Sequence, residues 1–295
     1  MYDIAGFYEA KSASDAVRAL TEDPNAILIS GGTDVLIRVR EGRDAGRSLV
    51  SIKGLKELTG VRLDDDGTLV IGPCTTFTSL TGDPLIQRFA ACLGEAADTV
   101  GGPQIRNMGT IGGNIMNGAT SADTGAAMLS FDASAVLLGP DGERTVPLSE
   151  FYTGPGKTVR ERNEVCTSFR IPRSSYEGFS GAYFKYGKRR SMEIATLGCM
   201  CRVKLSADGR TVDDVRLAFG VAAPTPIRCR AAEAAVKGRA ADEETAVLLA
   251  DTALTEVNPR TSWRASKEFR MQLVHELSKR AFFEAARRGG GAAGA

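Results

Sequence analysis

The sequence lacks a strong excess of charge of either sign, and it lacks any long apolar segment. Its 295 residues include 37 lysines and arginines and 36 aspartates and glutamates, for a net charge of +1. Charge therefore gives no argument for a nucleic-acid partner. No apolar run approaches the roughly 20 residues that cross a bilayer, and residues 1–4 begin no basic region followed by an apolar stretch. We expect a cytoplasmic protein with neither a nucleic-acid nor a membrane partner.

Histidine is almost absent, and the cysteines are scattered. The single histidine, His275, has no second histidine or cysteine at ligand spacing. This argues against a protein-bound metal and against a histidine-dependent catalytic triad. Of six cysteines only Cys199 and Cys201 are close in sequence. Reduced, buried thiols are the expected state in a chain without an export signal, and the sequence assigns no role to this pair.

What the sequence does contain is two glycine-rich turns, Ser30-Gly31-Gly32-Thr33-Asp34 and Thr110-Ile111-Gly112-Gly113-Asn114. Neither is a G-x-G-x-x-G or a G-x-x-x-x-G-K-[ST], which argues against a standard nicotinamide dehydrogenase or a P-loop kinase. Glycine lets an anion approach main-chain N–H groups, and neighbouring threonine and asparagine side chains add donors. One such turn is equally consistent with a simple tight turn. Two together predict cradles for a long ligand with a central pyrophosphate.

Apolar spacing and turn residues predict a mixture of helices and strands. Helices are predicted at 12–20, 84–99, 122–131, 228–236, 241–255 and 266–287. Strands are predicted at 27–29, 49–52, 69–71, 181–187, 194–205 and 212–222, with a hairpin over 135–146. The pattern changes near residue 175, after which strands precede helices as in an α+β domain. We expect the tail, 289–295, to be disordered.

Three further segments carry polar residues near these turns. Residues 101–107 lead into the second turn and are typical of a helix-to-strand loop. In 117–124, small and polar residues precede a predicted helix, so Asp123 is either its N-cap or a carboxylate that holds cofactor hydroxyls. Residues 185–190 contain four cations, which fits a solvated loop. Beside a flavin, however, Lys185 would stabilise the anionic reduced ring.

With these motifs the sequence resembles the FAD-binding, medium-sized subunit of bacterial molybdenum hydroxylases of the xanthine dehydrogenase type. The resemblance covers nearly the whole chain and is carried by residues 30–35, 72–77, 102–123, 184–195, 218–229 and 262–270. The last two segments resemble the separate-subunit purine enzymes more than the carbon monoxide or aromatic-acid branches. The four-cysteine insertion of the benzoyl-CoA reductase branch is absent.

The resemblance implies an α+β fold. A FAD-binding domain of the vanillyl-alcohol-oxidase-like (PCMH) type would span 1–175, with subdomains of about 1–55 and 56–175, and a smaller sheet-plus-helices domain would span 176–288. It implies FAD as the cofactor and neither a metal nor a catalytic residue on this chain. The implied cofactor contacts are Leu28, Ile29, Ser30, Gly31, Gly32, Thr33, Asp34, Val35, Ile105, Gly109, Thr110, Gly113, Asn114, Met116, Asn117, Ala122, Asp123 and Lys185.

Within that set, residues 28–35 would wrap the pyrophosphate, and Ile105 and residues 109–117 would complete this cradle and line the isoalloxazine. Asp123 would reach the ribityl or ring region, and Lys185 the ring. Two positions depart from the family pattern. Val100 stands where animal homologues place an aromatic residue against the flavin, and Thr120 replaces a proline common before Asp123.

The function implied by the resemblance is electron relay. Electrons from a heteroaromatic, hydroxylated on a molybdenum-containing large subunit, would pass through [2Fe-2S] clusters of a small subunit to FAD on this chain and then to NAD⁺. One alternative is a self-sufficient flavoprotein oxidase or reductase, although the turns offer no histidine or isolated general base. Others are a nucleotide-binding regulatory module and the equivalent subunit of a nicotinate or other N-heterocycle dehydrogenase. The residues do not determine which heteroaromatic is hydroxylated, nor whether the electron acceptor is NAD⁺ or ferredoxin.

Overall fold

Three main β-sheets, a two-stranded hairpin and surrounding helices make up the computed structural model, which describes residues 2–291. The strands are β1 (Ile4–Glu9), β2 (Ala26–Ile29), β3 (Arg47–Ser51), β4 (Val61–Leu63), β5 (Leu69–Ile71), β6 (Ser134–Gly139), β7 (Gly142–Pro147), β8 (Tyr152–Gly154), β9 (Lys157–Thr158), β10 (Val165–Ile171), β11 (Phe179–Tyr186), β12 (Leu197–Leu205), β13 (Val212–Gly220) and β14 (Ile227–Arg228).

The α-helices are α1 (Ala13–Glu22), α2 (Val35–Arg40), α3 (Phe77–Gly82), α4 (Pro84–Phe89), α5 (Ala91–Asp98), α6 (Pro103–Met108), α7 (Ile111–Met116), α8 (Asp123–Ser130), α9 (Arg230–Val236), α10 (Glu243–Glu256) and α11 (Lys267–Arg288). Short 3₁₀ turns occur at Lys56–Leu58, Leu148–Glu150 and Arg173–Ser175. None of the helices in residues 2–291 combines the length and the apolar character needed to cross a bilayer.

The first sheet is parallel, in the order β1-β3-β2, with α1 and α2 as its connections. Ser12 caps α1 by accepting the Asp15 N–H at 3.0 Å, and the helix buries Ala16 and Leu20. In open sheets with parallel strands, ligands bind beyond the carboxyl ends of the strands. The first glycine-rich segment follows the carboxyl end of β2 directly, which places it at that edge.

The second sheet is antiparallel, in the order β4-β5-β10-β6-β7. Its core contains fully buried Phe131, Phe151 and Phe169, packed with Leu93 of α5 and Ile111 of α7. Burial of this apolar surface fixes α5, α7 and α8 against the sheet. The start of α7 carries the second glycine-rich segment, so its position depends on this core.

The third sheet, β11-β12-β13-β14, is antiparallel and is buried on both faces. Along β12, Cys199 and Cys201 join the core formed with α9, α10 and α11, whereas Met200 joins the core of the first 175 residues. This alternation follows from the two-residue period of a strand. Arg202 is 1% exposed; its Nη1 donates to the Ser130 carbonyl at 2.9 Å, and its guanidinium lies 3.6 Å from the Phe131 ring centroid. The sheet therefore joins the two halves of the chain.

The predicted α+β class is confirmed, and so are most of the predicted elements. The helix predicted over 84–99 is instead two helices, because Ala90 takes φ −147° and ψ 39° and interrupts it. No proline or glycine marks this break in the sequence. The loop predicted over 101–107 contains α6, which begins at Pro103, and the second glycine-rich segment forms the first turn of α7 rather than a separate turn.

The remaining sequence expectations concern thiols, His275 and the C-terminal tail. All six cysteines are free and buried, and burial raises the pKa of the Cys92 thiol to about 11. Cys199 and Cys201 serve as core residues of β12. His275 Nε2 lies 3.2 Å from Asp251 Oδ1, between α11 and α10. In the tail, the Gly289 N–H donates to the Ala285 carbonyl at 3.1 Å, and residues 292–295 lie outside the described part of the chain.

Candidate functional site

A single cleft of about 910 Å³ collects most of the residues predicted to bind a cofactor. Its walls come from the segment after β2, from α6, α7 and the start of α8, from the β8–β9 hairpin, and from two loops of the C-terminal half. Pockets of this size hold cofactor-sized ligands. The cleft forms where the first sheet, the second sheet and the C-terminal domain meet.

The first glycine-rich segment contacts the residues on either side of the second one. A Cβ on Gly31 would lie 1.9 Å from the Met108 carbonyl oxygen, so only glycine permits this approach. Asn117 Nδ2 donates to Asp34 Oδ2 at 2.5 Å, and this bond joins the first segment to the end of α7. Segments separated by about eighty residues in sequence thus form one wall.

The first segment has unused main-chain donors. Within the described chain, the N–H groups of residues 31–35 donate to no backbone carbonyl, although the Gly32 carbonyl accepts the Leu36 N–H at 3.0 Å. Gly32 has φ +75°, a conformation that disfavours side chains. Consecutive N–H groups that have no partner in the protein are suited to the oxygens of a phosphate.

The second segment differs, because the N–H groups of residues 111–114 already have acceptors in the protein. Ile111 N–H donates to the Thr75 carbonyl at 3.0 Å and Gly112 N–H to the Pro73 carbonyl at 2.8 Å. Gly113 N–H donates to Thr110 Oγ1 at 3.1 Å, and Asn114 N–H to the Thr110 carbonyl at 3.1 Å. The structure therefore corrects the expectation that both glycine-rich segments offer N–H groups to an anion. The first segment offers consecutive N–H groups, whereas those of residues 111–114 are not available.

The second segment presents to the cleft its two glycines and the side chains of Thr110 and Asn114. Gly113 lines the cleft, and a Cβ there would meet only Thr110 Oγ1, at 3.4 Å. No packing constraint therefore requires glycine at this position. The Asn114 Oδ1 accepts the Thr124 hydroxyl at 2.6 Å, which leaves the Asn114 NH₂ group as the donor of that side chain. Gly112, by contrast, is required by packing, since a Cβ would lie 2.5 Å from the Pro73 carbonyl oxygen.

Most of the predicted contact residues line the cleft, and three do not. Ile29 is buried beside the cleft, Gly109 faces the Phe77 ring, and Lys185 lies behind Asp123. Those that line it are Leu28, Ser30, Gly31, Gly32, Thr33, Asp34, Val35, Ile105, Thr110, Gly113, Asn114, Met116, Asn117, Ala122 and Asp123.

Lys185 and Asp123 form a buried ion pair in the wall of the cleft. Lys185 Nζ donates to Asp123 Oδ2 at 2.8 Å and to the Thr99 carbonyl at 2.9 Å, and the Tyr183 hydroxyl donates to Asp123 Oδ1 at 2.8 Å. The two ionic side chains are only 9% and 6% exposed. Burial pushes the pKa of Asp123 upward, so its ionised form depends on these partners. Asp123 is the first residue of α8 and not its N-cap, which is Ala122, so the N-cap alternative is wrong. Lys185 is separate from the exposed cations that follow it.

The cleft also contains residues that sequence reasoning did not identify. At one end are Lys157, Arg160 and Arg162, and at the other Arg189, Met192, Ile194, Trp263 and Arg264. Most lie in loops, where no periodic pattern marks them. The one sequence feature that could have indicated them is Trp263, the single tryptophan of the sequence, which lies in a loop. Burial lowers the pKa of Arg160, whose Nη1 donates to the Glu164 carbonyl at 2.8 Å.

Both departures from the family pattern have structural consequences. Val100 lines the cleft where an aromatic residue would stack, so this wall offers a smaller apolar contact. The Thr120 hydroxyl donates to the Pro224 carbonyl at 2.8 Å, and the Thr120 carbonyl accepts the Val221 N–H at 3.1 Å. In place of a rigid proline, the loop before Asp123 is held by hydrogen bonds to the C-terminal domain.

Two family models match this architecture. "FAD binding domain in molybdopterin dehydrogenase" matches residues 2–174, and "CO dehydrogenase flavoprotein C-terminal domain" matches residues 182–285. The chain belongs to the FAD-binding subunits of the molybdenum hydroxylase family. FAD is therefore its cofactor, and the chain is an oxidoreductase subunit.

Related FAD-binding subunits are similar to this chain in sequence and in fold. The putative xanthine dehydrogenase FAD-binding subunit of Escherichia coli K12 is 44% identical over 291 residues, 99% of each chain. The nicotinate dehydrogenase FAD-subunit of Eubacterium barkeri is 34% identical over 208 residues, 69% of this chain and 70% of that one. A solved structure of carbon monoxide dehydrogenase from Hydrogenophaga pseudoflava matches with a TM-score of 0.91 at 33% identity, covering 98% and 99% of the two chains.

The cleft fits FAD on its own chemistry. The N–H groups of residues 31–35 suit pyrophosphate oxygens, the bare surface at Gly113 leaves room that a Cβ would fill, and Asp123 can accept from hydroxyls or ring N–H groups. When bound, FAD supplies the two-electron and one-electron chemistry of the isoalloxazine ring. The protein supplies the donors that orient it and the charges beside it.

The first prediction separates glycines needed by the cofactor from those needed by the fold. Gly113→Ala should fold with unchanged or higher stability, by up to about 1 kcal/mol, because alanine favours a helix more than glycine does. It should nevertheless lose most of its FAD, because the new methyl group occupies cofactor space. Gly31→Ala should instead unfold at lower temperature, because its Cβ cannot coexist with the Met108 carbonyl. Thermal unfolding and the flavin absorbance of purified protein measure both effects.

Gly82→Ala is the matched control. Gly82 is also helical and lies outside the cleft, and a Cβ added to it would have no atom within 4 Å. This variant should keep both stability and flavin. Stoichiometric FAD in Gly113→Ala would show that the second segment does not contact the cofactor.

The second prediction concerns the charge of the Lys185–Asp123 pair. Asp123→Asn leaves the Lys185 cation uncompensated in the wall of the cofactor cleft and should raise the flavin midpoint potential. At a partly screened distance, one unit charge changes the free energy of flavin reduction by about 1 to 2 kcal/mol. This corresponds to a shift of about 20 to 40 mV in the midpoint potential of a two-electron couple. Lys185→Met should change the potential less, because the carboxyl group of Asp123, deprived of its partner, is expected to take up a proton.

Redox titration of the FAD-loaded chain measures these potentials. Tyr183→Phe, which keeps both charges, is the control for loss of a hydrogen bond alone. A larger shift in Lys185→Met than in Asp123→Asn would mean that Lys185 acts on the flavin as an unpaired cation.

Proposed function

We propose that this chain is the electron-relay subunit of a xanthine dehydrogenase-type molybdenum hydroxylase. In this proposal FAD accepts electrons from [2Fe-2S] clusters of a small subunit, which receives them from a molybdenum-containing large subunit, and passes them to NAD⁺ in the cytoplasm. The purine branch is supported by 44% identity along the whole chain to a putative xanthine dehydrogenase subunit, against 34% over 69% of the chain for a nicotinate dehydrogenase subunit.

The observation that carries the relay proposal is the state of the carboxylates in the cleft. Three carboxylates line it, and each has a partner. Asp34 accepts from Asn117 at 2.5 Å, Asp123 from Lys185 at 2.8 Å, and Glu193 from Arg189 at 2.9 Å. A self-sufficient oxidase acting on a small substrate needs a poised base, whereas electron transfer through a flavin does not. The paired carboxylates therefore favour a relay over an oxidase.

The proposal also includes the domain boundaries. The FAD-binding domain would comprise residues 1–175, in subdomains of about 1–55 and 56–175, and the C-terminal domain residues 176–288. Both contribute to cofactor binding, because the Lys185–Asp123 bond crosses between them. The cofactor contacts proposed are the cleft-lining residues named above, with Lys185 acting through Asp123.

The third prediction tests the relay directly. NADH should bleach the flavin of the FAD-loaded chain under anaerobic conditions, because hydride exchange with a nicotinamide needs only this subunit. Xanthine should not bleach it, because among residues 2–291 no group of histidine, cysteine or carboxylate side chains could hold a metal ion. Stopped-flow absorbance follows both reactions.

Three results would change the proposal. Bleaching by xanthine in metal-free protein would replace the relay with a self-sufficient enzyme. If NADH fails to bleach the flavin and ferredoxin rapidly oxidises the reduced flavin, the electron acceptor is ferredoxin and not NAD⁺. Activity of the assembled complex on nicotinate instead of purines would move the chain to the other N-heterocycle branch.

A further inference from the structure

Trp263 stands out on the surface of the molecule. It is the only tryptophan in the sequence, and at 76% exposure it is the most exposed large hydrophobic side chain of residues 2–291. Nevertheless it lines the rim of the cofactor cleft, beside Arg264, Met192 and Ile194. Isolated exposed apolar residues are common, but one on the rim of a binding cleft is a candidate contact.

The turn that presents Trp263 is held firmly. Ser262 and Ala265 form a β-bridge, with the Ser262 N–H donating to the Ala265 carbonyl at 2.9 Å, so Trp263 and Arg264 occupy the tip. Arg270 of α11 is 2% exposed, and its Nη2 donates to Ser262 Oγ at 2.9 Å while its Nε donates to the Thr196 carbonyl at 3.1 Å. A buried guanidinium thus fixes the base of the turn, and the exposure of the indole is a property of the fold.

Two cations, neither of which pairs with a carboxylate of residues 2–291, lie beside the indole. The Arg264 guanidinium lies 4.3 Å and the Lys188 ammonium 5.4 Å from the ring centroid. Arg189 is different, because it pairs with Glu193 at 2.9 Å. The Arg264 Nε is buried and donates to no acceptor within the described chain. Lys188 Nζ also donates to the Trp263 carbonyl at 3.4 Å, which is a neutral acceptor. The site therefore combines a planar aromatic surface with positive charge that no carboxylate of the described chain neutralises.

We propose that Trp263, Arg264 and Lys188 bind the adenosine diphosphate half of the pyridine nucleotide acceptor. An adenine base would stack on the indole, and the phosphates would pair with the two cations. This inference rests on the proposed function, in which a nicotinamide exchanges electrons with FAD inside the same cleft. A dinucleotide whose nicotinamide enters the cleft must leave its other half at the rim, where Trp263 and Arg264 line the cleft and Lys188 lies against Trp263.

A protein partner could also use an exposed tryptophan and arginine, since both are common at interface hot spots. The position of Trp263 favours the nucleotide, because the residue lines the cofactor cleft. The uncompensated charge beside it suits a diphosphate. Docking of a partner subunit through Trp263 is therefore an outcome that the experiment must distinguish.

The test uses Trp263 as its own reporter. Because the chain has one tryptophan, intrinsic tryptophan fluorescence of the FAD-loaded full chain reports this site alone. ADP-ribose, which lacks the nicotinamide, should quench this fluorescence saturably, and the apparent affinity should weaken as salt is raised. Nicotinamide mononucleotide should not quench it. Absence of saturable quenching by ADP-ribose would overturn the proposal.

Kinetics of flavin reduction by NADH supply the second readout. Trp263→Ala should raise the KM for NADH about tenfold, as expected for loss of one base-stacking contact, and leave kcat unchanged. Trp263→Phe should recover part of the loss, and Lys188→Gln combined with Arg264→Gln should remove most of the salt dependence. Phe7→Ala is the matched control, because Phe7 is 60% exposed on β1 and does not line the cleft.

The outcomes separate this inference from the proposed function. If NADH reduces the flavin normally in both the parent chain and Trp263→Ala, and ADP-ribose quenches nothing, the site is wrong and NAD⁺ remains the acceptor. If NADH reduces neither protein, the acceptor itself is wrong, and this inference falls with it. If Trp263→Ala keeps its KM but no longer co-purifies with its partner subunits, the indole is a docking residue and the proposal is overturned.

Discussion

The contact between Gly31 and the Met108 carbonyl is the constraint on which the site depends. It brings the carboxyl edge of the parallel sheet against the junction of α6 and α7, at a distance that only a residue without Cβ allows. The Asp34–Asn117 hydrogen bond also stabilises this contact, because it joins the first segment to the end of α7. With the chain held in this way, residues 31–35 pass along the cleft wall with their N–H groups unpaired. Two sheets that share no hydrogen bonds with one another thereby form one cofactor site.

The C-terminal domain completes that site through a shared sheet. Because β12 is buried on both faces, α8 packs on β12 and β13, and the Lys185 side chain of the neighbouring β11 reaches Asp123 at the start of α8. The pair balances charge inside the wall, where an unpaired ion would be costly. Thr120 adds a second connection through the Pro224 carbonyl. The C-terminal domain therefore contributes residues to the walls of the cleft.

Sequence reasoning predicted what residue type and local pattern determine. The glycine-rich segments, the capped α1 and the alternating strands all carry short-range signals, and the family resemblance identified FAD. Three features depend on tertiary contacts that no local pattern shows. Asp123 and Lys185 are 62 residues apart, the break at Ala90 has no marker residue, and the donors of residues 111–114 are consumed by Pro73, Thr75 and Thr110. The two similar motifs consequently differ in role for reasons visible only in three dimensions.

Hydrogen exchange at the amides of the two glycine-rich segments tests the central claim most directly. The claim is that the first segment supplies main-chain donors to FAD, whereas the second supplies shape and a side-chain amide. Comparing the full chain with and without FAD, we expect residues 31–35 to gain protection and residues 111–114 to stay nearly unchanged, because their N–H groups are bonded in the protein itself. New protection at residues 111–114 with none at residues 31–35 would contradict the account.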